Sequence, residues 1–211
     1  MLNLQIIIGS TRSERNADAV CRWFEPITRS HGAFAVETLD LRAWPLPHFQ
    51  ETIATVGDFA NPTYSDPLVK RWNDKVKEAD AYIIVTPEYN HSVPGVLKNA
   101  IDTVFFSYGF RHKPVAFVAY SLGVAAGVRA VEHLNQIMLE AEASPIRTPT
   151  LIPFVGSAFG ADGQPSIPAL NVGLTVMLDD LAWMGKALKV ARAAGAPPPA
   201  ALRIRAGSAN R

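Results

Sequence analysis

Residues 81–102 read AYIIVTPEYNHSVPGVLKNAID: an apolar run, a polar turn held between two prolines, and the start of an amphipathic segment. The run AYIIV is continuously apolar and rich in β-branched residues, as a strand is when helices cover both of its faces. Pro87 stiffens the exit from it, and Pro94 suits the first turn of a following helix, where a missing N–H costs little. Leu97, Ala100, Ile101 and Val104 then recur at helical spacing. Strand exit and helix start account for Ser92, Pro94 and Gly95. They leave Glu88, Tyr89 and Asn90 unexplained, on a span of backbone suited to meeting the hydrogen-bonding edge of a planar heterocycle.

The same unit repeats along the chain. NLQIIIG (3–9), FAVETLD (34–40), PVAFVAYS (114–121) and RTPTLIPFV (147–155) are further strand candidates. Between and after them run helical stripes: Ala17, Val20, Cys21 and Phe24; Leu68, Trp72 and Val76; Val131, Leu134 and Met138; Leu174, Met177, Leu181, Met184 and Leu188. Strands alternating with helices predict an α/β fold, a doubly wound five-stranded parallel sheet with helices on both faces, over residues 1–192. Trp72, Trp183 and the methionines fall on helical stripes and are expected in the core. Residues 41–66 form an aromatic, proline-bearing connection much longer than the ~2–6 residues usual for such loops. Residues 193–211 have the composition of a flexible or extended tail.

Composition narrows the function classes. With 211 residues, 48% of them hydrophobic and 18% charged, the chain can build one substantial core. A formal charge of +1 gives no general attraction to nucleic acid or an anionic membrane. Cys21 is the single cysteine, which excludes an intramolecular disulfide and a cysteine-based metal cluster, and the five histidines lack metal-binding spacing. MLNLQIIIGSTR lacks the basic start and long apolar stretch of a signal peptide, so a cytoplasmic location is expected.

In an open parallel sheet, ligands bind beyond the carboxyl ends of the strands where strand order reverses. After the first strand comes GSTRSERN (9–16). Gly9 permits a tight exit, and Ser10, Thr11, Ser13 and the amides of a helix start can surround an anion. Arg12 and Arg15 can add charged hydrogen bonds to phosphate oxygens. The alternative is an ordinary polar turn with Ser13 as helix cap. Neither GxGxxG nor GxxxxGK[ST] is present, which favours a monophosphate over a dinucleotide or a nucleoside triphosphate.

Four segments together resemble the NADPH-dependent FMN reductase family of flavodoxin-like proteins, which includes quinone, azo and chromate reductases. They are GSTRSERNADAVCRWF, DLRAWPLPHF, ADAYIIVTPEYNHSVPGVLKNAID and YSLGVAAGVRAVEHL, in the family's order. The resemblance implies a noncovalent FMN with Ser10, Arg12, Arg15, Asn16 and Ala17 around its phosphate. It places Pro87, Glu88, Tyr89 and Asn90 along the isoalloxazine, with Ser121 and Gly123 completing the pocket. Glu14 departs from the small residue of many relatives and puts a carboxylate near the phosphate.

The implied activity is hydride transfer from NADPH or NADH to FMN, then electron transfer to a quinone, azo, flavin or metal-oxyanion acceptor in ping-pong order. A homodimer or homotetramer is expected, with the aromatic residues of 41–66 and FFSYGF (105–110) at the interface. Two alternatives remain. One is a flavodoxin-type electron carrier, although such shuttles are strongly acidic. The other is a serine hydrolase with Ser121 as nucleophile, since AYSLG is one residue from G-x-S-x-G; His133 is the only histidine after it.

Overall fold

The computed structural model describes residues 1–59 and 61–209. Every residue of β3 (Ala81–Pro87) and β4 (Pro114–Tyr120) is buried, as their unbroken apolar runs require of central strands. β1 (Leu2–Ile8) pairs in parallel with β3 on one side and with β2 (Phe34–Asp40) on the other. The spatial order is therefore β2-β1-β3-β4, and strand order reverses between β1 and β3. Two helices, α1 (Ala17–Ser30) and α6 (Ala169–Ala193), cover one face of the sheet. The other face carries α3 (Pro67–Lys77), α4 (Gly95–Asp102) and α5 (Val128–Glu140).

The expected fifth strand is split in two. β5 (Ser144–Pro145) pairs with the start of β4, and β6 (Thr150–Ile152) pairs with its end, Val118 facing Thr150 and Tyr120 facing Ile152. Pro145, Pro149 and Pro153 explain the break, because each removes a donor that a continuous ladder needs.

The long connection after β2 is folded. It contains the short helix α2 (Ile53–Val56), opened by a reciprocal capping pair of Thr52 and Thr55. Buried Glu51 gathers the loop by accepting from the Ser65 amide at 3.1 Å, the Ser65 hydroxyl at 2.7 Å and the Thr55 hydroxyl at 2.5 Å. Tyr64, Val56 and Val69 form a small core packed by Phe59 and Phe106. Of the aromatic residues expected at an interface, Tyr64 and Phe110 are buried, Phe49 is exposed, and Trp44, Phe59, Phe105, Phe106 and Tyr108 are half-buried.

Trp183 is the opposite case, 73% exposed where a core position was expected. Leu174, Met177, Leu178, Leu181 and Ala182 supply the inner face of α6. Two residues beyond Leu181 is ~200° around the helix, which turns Trp183 outward. In the C-terminal segment, whose composition reads as flexible or extended, α7 spans Ala200–Ala209, and its first amide donates to the Glu142 carboxylate at 3.0 Å. No helix among the described residues is long and apolar enough to cross a membrane.

Gly127 positions the start of α5. Its φ is +87°, and a Cβ there would lie 2.7 Å from the Tyr120 amide nitrogen and 2.8 Å from the Ala119 Cβ. Gly127→Ala should cost about 2–4 kcal/mol from left-handed strain and overpacking. Gly173→Ala, inside α6 with open space around it, should stabilise by about 0.5–1 kcal/mol. Urea unfolding of both variants checks the pair, and equal effects would contradict the geometry.

Candidate functional site

The loop after β1 is organised by one arginine. The Arg15 side chain is 4% exposed, and it grips Asp40 at the end of β2 with two parallel hydrogen bonds, Nη1 to Oδ1 at 2.7 Å and Nη2 to Oδ2 at 2.5 Å. Nη1 also donates to the Ser10 carbonyl, and Nε to Asp18 Oδ1 at 2.8 Å. A guanidinium has five N–H groups, so this network leaves at most one for a ligand. Arg15, read from the sequence as a phosphate ligand, instead spends its charge holding β1, β2 and α1 together. The helix starts at Ala17 with Asn16 as its cap residue, so Ser13 is not the cap. Arg12 is the outward cation: its guanidinium lies over the Tyr89 ring, 5.7 Å from the centroid. Glu14 holds φ +48°, a left-handed conformation that favours glycine.

The β3 exit makes a tight two-residue turn. Tyr89 and Ser92 exchange backbone hydrogen bonds of 2.9 and 3.0 Å, and Asn90 and His91 both have positive φ, +47° and +69°. That is a type I′ hairpin turn, for which asparagine is favoured at the first position. Asn90 stands exposed at its tip and does not line the cleft. The Glu88 carboxylate is buried; it binds the Arg129 guanidinium and accepts from the Arg129 amide at 3.3 Å, against the positive end of α5. Its amide donates to the Tyr120 carbonyl at 3.0 Å. Arg129 reaches on to His91 Nδ1 at 3.1 Å.

Between these two loops and the end of β4 lies a cleft of about 200 Å³ lined by Arg12, Glu14, Asn16, Pro87, Tyr89 and Tyr120, among others. Arg15, Glu88 and Ser121 also reach it, whereas Thr11, Ala17, Asn90 and Gly123 stand outside its lining. Ser10 is fully buried beneath, its hydroxyl 2.9 Å from the Tyr89 hydroxyl. A larger groove of about 540 Å³ between α4 and α5, walled by Ile101, Phe105 and Ile137, is not at the ends of the strands.

Tyr120 is the residue that the sequence reading missed. It is 3% exposed, and its hydroxyl borders the cleft beside the Ser10 side chain without a well-formed hydrogen bond. Burial pushes its phenol well above the ordinary value, so it stays a neutral donor. The signal in the sequence was a lone tyrosine closing a strand of small apolar residues. Ser121 spends its hydroxyl on the Gly123 carbonyl at 2.9 Å, and His133 pairs with Ser92 at 2.7 Å, so the pair a hydrolase would need is not formed.

Desolvation raises the Asp40 pKa, but its bonds to Arg15 and to the Arg42 amide outweigh that and hold it below the usual carboxylate range. The unfolded chain therefore binds more protons between the lowered value and ~3.9, and this stabilisation is lost as pH falls through that window. Asp40→Asn should cost about 1–3 kcal/mol at pH 7 and less at pH 3, measured by urea unfolding at both. An equal cost at both would contradict the clamp.

The model of the NADPH-dependent FMN reductase family matches residues 2–154. An NAD(P)H-dependent FMN reductase of Pseudomonas aeruginosa is 32% identical over 161 residues, 75% of this chain and 81% of that protein. One from Schizosaccharomyces pombe is 31% identical over 115 residues, 54% of this chain and 56% of that one. Among solved structures, FerB of Paracoccus denitrificans, a flavoenzyme NAD(P)H:(acceptor) oxidoreductase, shares the fold with a TM-score of 0.69 at 22% identity, covering 88% of this chain and 98% of its own. The chain therefore belongs to the NADPH-dependent FMN reductase family and is an FMN-dependent oxidoreductase with a nicotinamide donor.

Proposed function

We propose that the cleft holds FMN with its phosphate at the start of α1 and its ring system along Pro87 to Tyr89, and that the acceptor is a planar aromatic molecule, a quinone or azo compound. The observation that carries the cofactor placement is the buried Tyr120 hydroxyl. Left unpaired, such a group costs about 1–3 kcal/mol, and a ligand bringing acceptor oxygens removes that cost. Tyr120 offers a hydroxyl donor, the bonded pair of Ser10 and Tyr89 keeps one hydroxyl hydrogen to give, Arg12 supplies the charge, and the amides opening α1 add their dipole. Arg15 acts one step back, fixing the loop rather than touching the phosphate.

FMN, when bound, supplies the redox chemistry, accepting hydride from NAD(P)H and giving electrons to the acceptor. The protein's part is to position and expose it. A cleft of about 200 Å³ is smaller than the ~300–1,000 Å³ of sites that enclose a ligand fully, which leaves part of an FMN-sized molecule open to partners. With no dinucleotide fingerprint in the chain, donor and acceptor visit that open side in turn, which gives ping-pong kinetics. Leu122, which lines the cleft, is 73% exposed, and Val124 and Phe154 on the loops beside it are 80% and 53% exposed, the Phe154 amide tied to the Gly123 carbonyl. This apolar rim gains by shedding water onto an aromatic acceptor and gains nothing from a hydrated metal oxyanion.

Tyr120→Phe should weaken FMN about tenfold, ~1.4 kcal/mol, change riboflavin little, and leave the ligand-free protein no less stable. Glu14→Gly should act in the opposite sense, strengthening FMN by removing a carboxylate and relieving its backbone. Fluorescence titrations with both flavins read the outcome. Equal losses for FMN and riboflavin in Tyr120→Phe would take the phosphate away from this end of the cleft.

A further inference from the structure

Among the described residues lining the cleft, Arg12, Glu14 and Arg15 bring charge from the loop before α1, and Glu88 brings it from the exit of β3, at the end where the FMN ring is placed. The Glu88 side chain is 4% exposed. A buried carboxylate by itself at that end would oppose reduction: hydride from NAD(P)H carries two electrons and one proton, leaves NAD(P)+ behind, and gives the neutral oxidised ring a negative charge, which the carboxylate repels. The fold supplies a counterweight. One Glu88 oxygen binds the Arg129 guanidinium, and the other accepts from the Arg129 amide at 3.3 Å. Gly127, the cap residue of α5, has no side chain to offer, so Glu88 caps that helix from the neighbouring strand exit. Capping accounts for the carboxylate. It does not call for the guanidinium, which donates from Nη1 to His91 Nδ1 at 3.1 Å and keeps a buried Nε–H without a hydrogen-bond partner.

We propose that Arg129 is a positioning residue for the redox step: paired with Glu88 at the start of α5, it turns the field beside the flavin ring from negative to positive and favours the reduced cofactor over the oxidised one. This rests on the placement of the ring along Pro87 to Tyr89. The local charges sum in its favour. Glu88 and Arg129 cancel, and His91 adds nothing, because a ring nitrogen that accepts a hydrogen bond carries no proton. What remains is the positive end of the 13-residue α5, roughly half a charge. The arrangement is fixed before electrons arrive: the Glu88 amide is bonded to the Tyr120 carbonyl at 3.0 Å, and the tight approach at Gly127 sets α5 against the end of β4. A preset field of this kind needs no reorganisation during the reaction. The oxidised ring is neutral and responds little to it. Arg129 therefore acts on the reduced state and not on uptake of oxidised FMN.

The two-electron potential of bound FMN, measured against a reference dye without oxygen, reads this directly. Arg129→Gln should shift the balance of the bound flavin about tenfold toward the oxidised form, a potential ~30 mV lower. By linkage the same factor of about ten appears as weaker binding of reduced FMN, with oxidised FMN held to within about threefold of wild type. Glu88→Gln should move the potential about as far in the opposite direction, and Arg129→Lys, which keeps the charge, should stay within about threefold of wild type in the same balance. A role confined to capping α5 predicts lower stability and weaker FMN binding in both Gln variants, without opposed shifts in potential. Potentials that are unchanged or move in the same direction in the two Gln variants would overturn the proposal, as would an Arg129→Lys potential as low as that of Arg129→Gln; FMN uptake in those cases leaves the reading of the cleft standing. If Arg129→Gln does not fold, the potential of Glu88→Gln decides alone. Wild-type protein that takes up no FMN would overturn both.

Discussion

The site depends on the bidentate pair formed by buried Arg15 and half-buried Asp40. Asp40 ends β2 and Arg15 closes the loop after β1, so their 2.5 and 2.7 Å contacts fix the loop against the strand beside it. The added bonds to the Ser10 carbonyl and to Asp18 set the first turn of α1 in the same frame. With both ends fixed, Ser10 is buried at the floor of the cleft, Arg12 turns outward over Tyr89, and Glu14 is forced to positive φ. A removed guanidinium would leave a partly desolvated carboxylate, held then by the Arg42 amide alone, and the Ser10 carbonyl without its arginine donor.

The other wall is fixed by different means. Pro87 and Tyr120 are register partners in the centre of the sheet, and the Glu88 amide continues that ladder onto the Tyr120 carbonyl. The Glu88 carboxylate then anchors the start of α5, where Gly127 allows the backbone to pass within contact of Ala119 and Tyr120. Both walls therefore rest on buried backbone and on charge pairs with one buried partner each, Arg15 and Glu88. What stays open is the polar gap between them, with exposed Leu122 at its edge.

Much of the fold was legible in the sequence because continuous apolar runs and helical stripes are local signals. The split of the fifth strand was legible only in hindsight, through Pro145 and Pro149, since composition alone does not say which end of β4 each piece joins. Residue roles at the site were less readable, for they depend on distant partners. Arg15 looks like a phosphate ligand until Asp40, 25 positions away, takes its donors. Asn90 looks like a flavin contact, but its left-handed backbone places it at the tip of a turn. Tyr120 and Trp183 were hidden for opposite reasons: the hydroxyl of Tyr120 lacks a well-formed hydrogen bond inside the fold, and Trp183 sits on an apolar stripe that faces outward.

The central claim is that this cleft binds FMN and reduces it directly with a nicotinamide donor. The most direct measurement is the visible absorption of the purified protein, supplemented with FMN and then titrated with NADPH or NADH without oxygen and without any other protein. The account predicts tight FMN uptake and full bleaching of the bound flavin band by one of the two donors. A protein that takes up no FMN would contradict it, and so would bound FMN that bleaches only when a separate reductase is added, which is the behaviour of an electron shuttle.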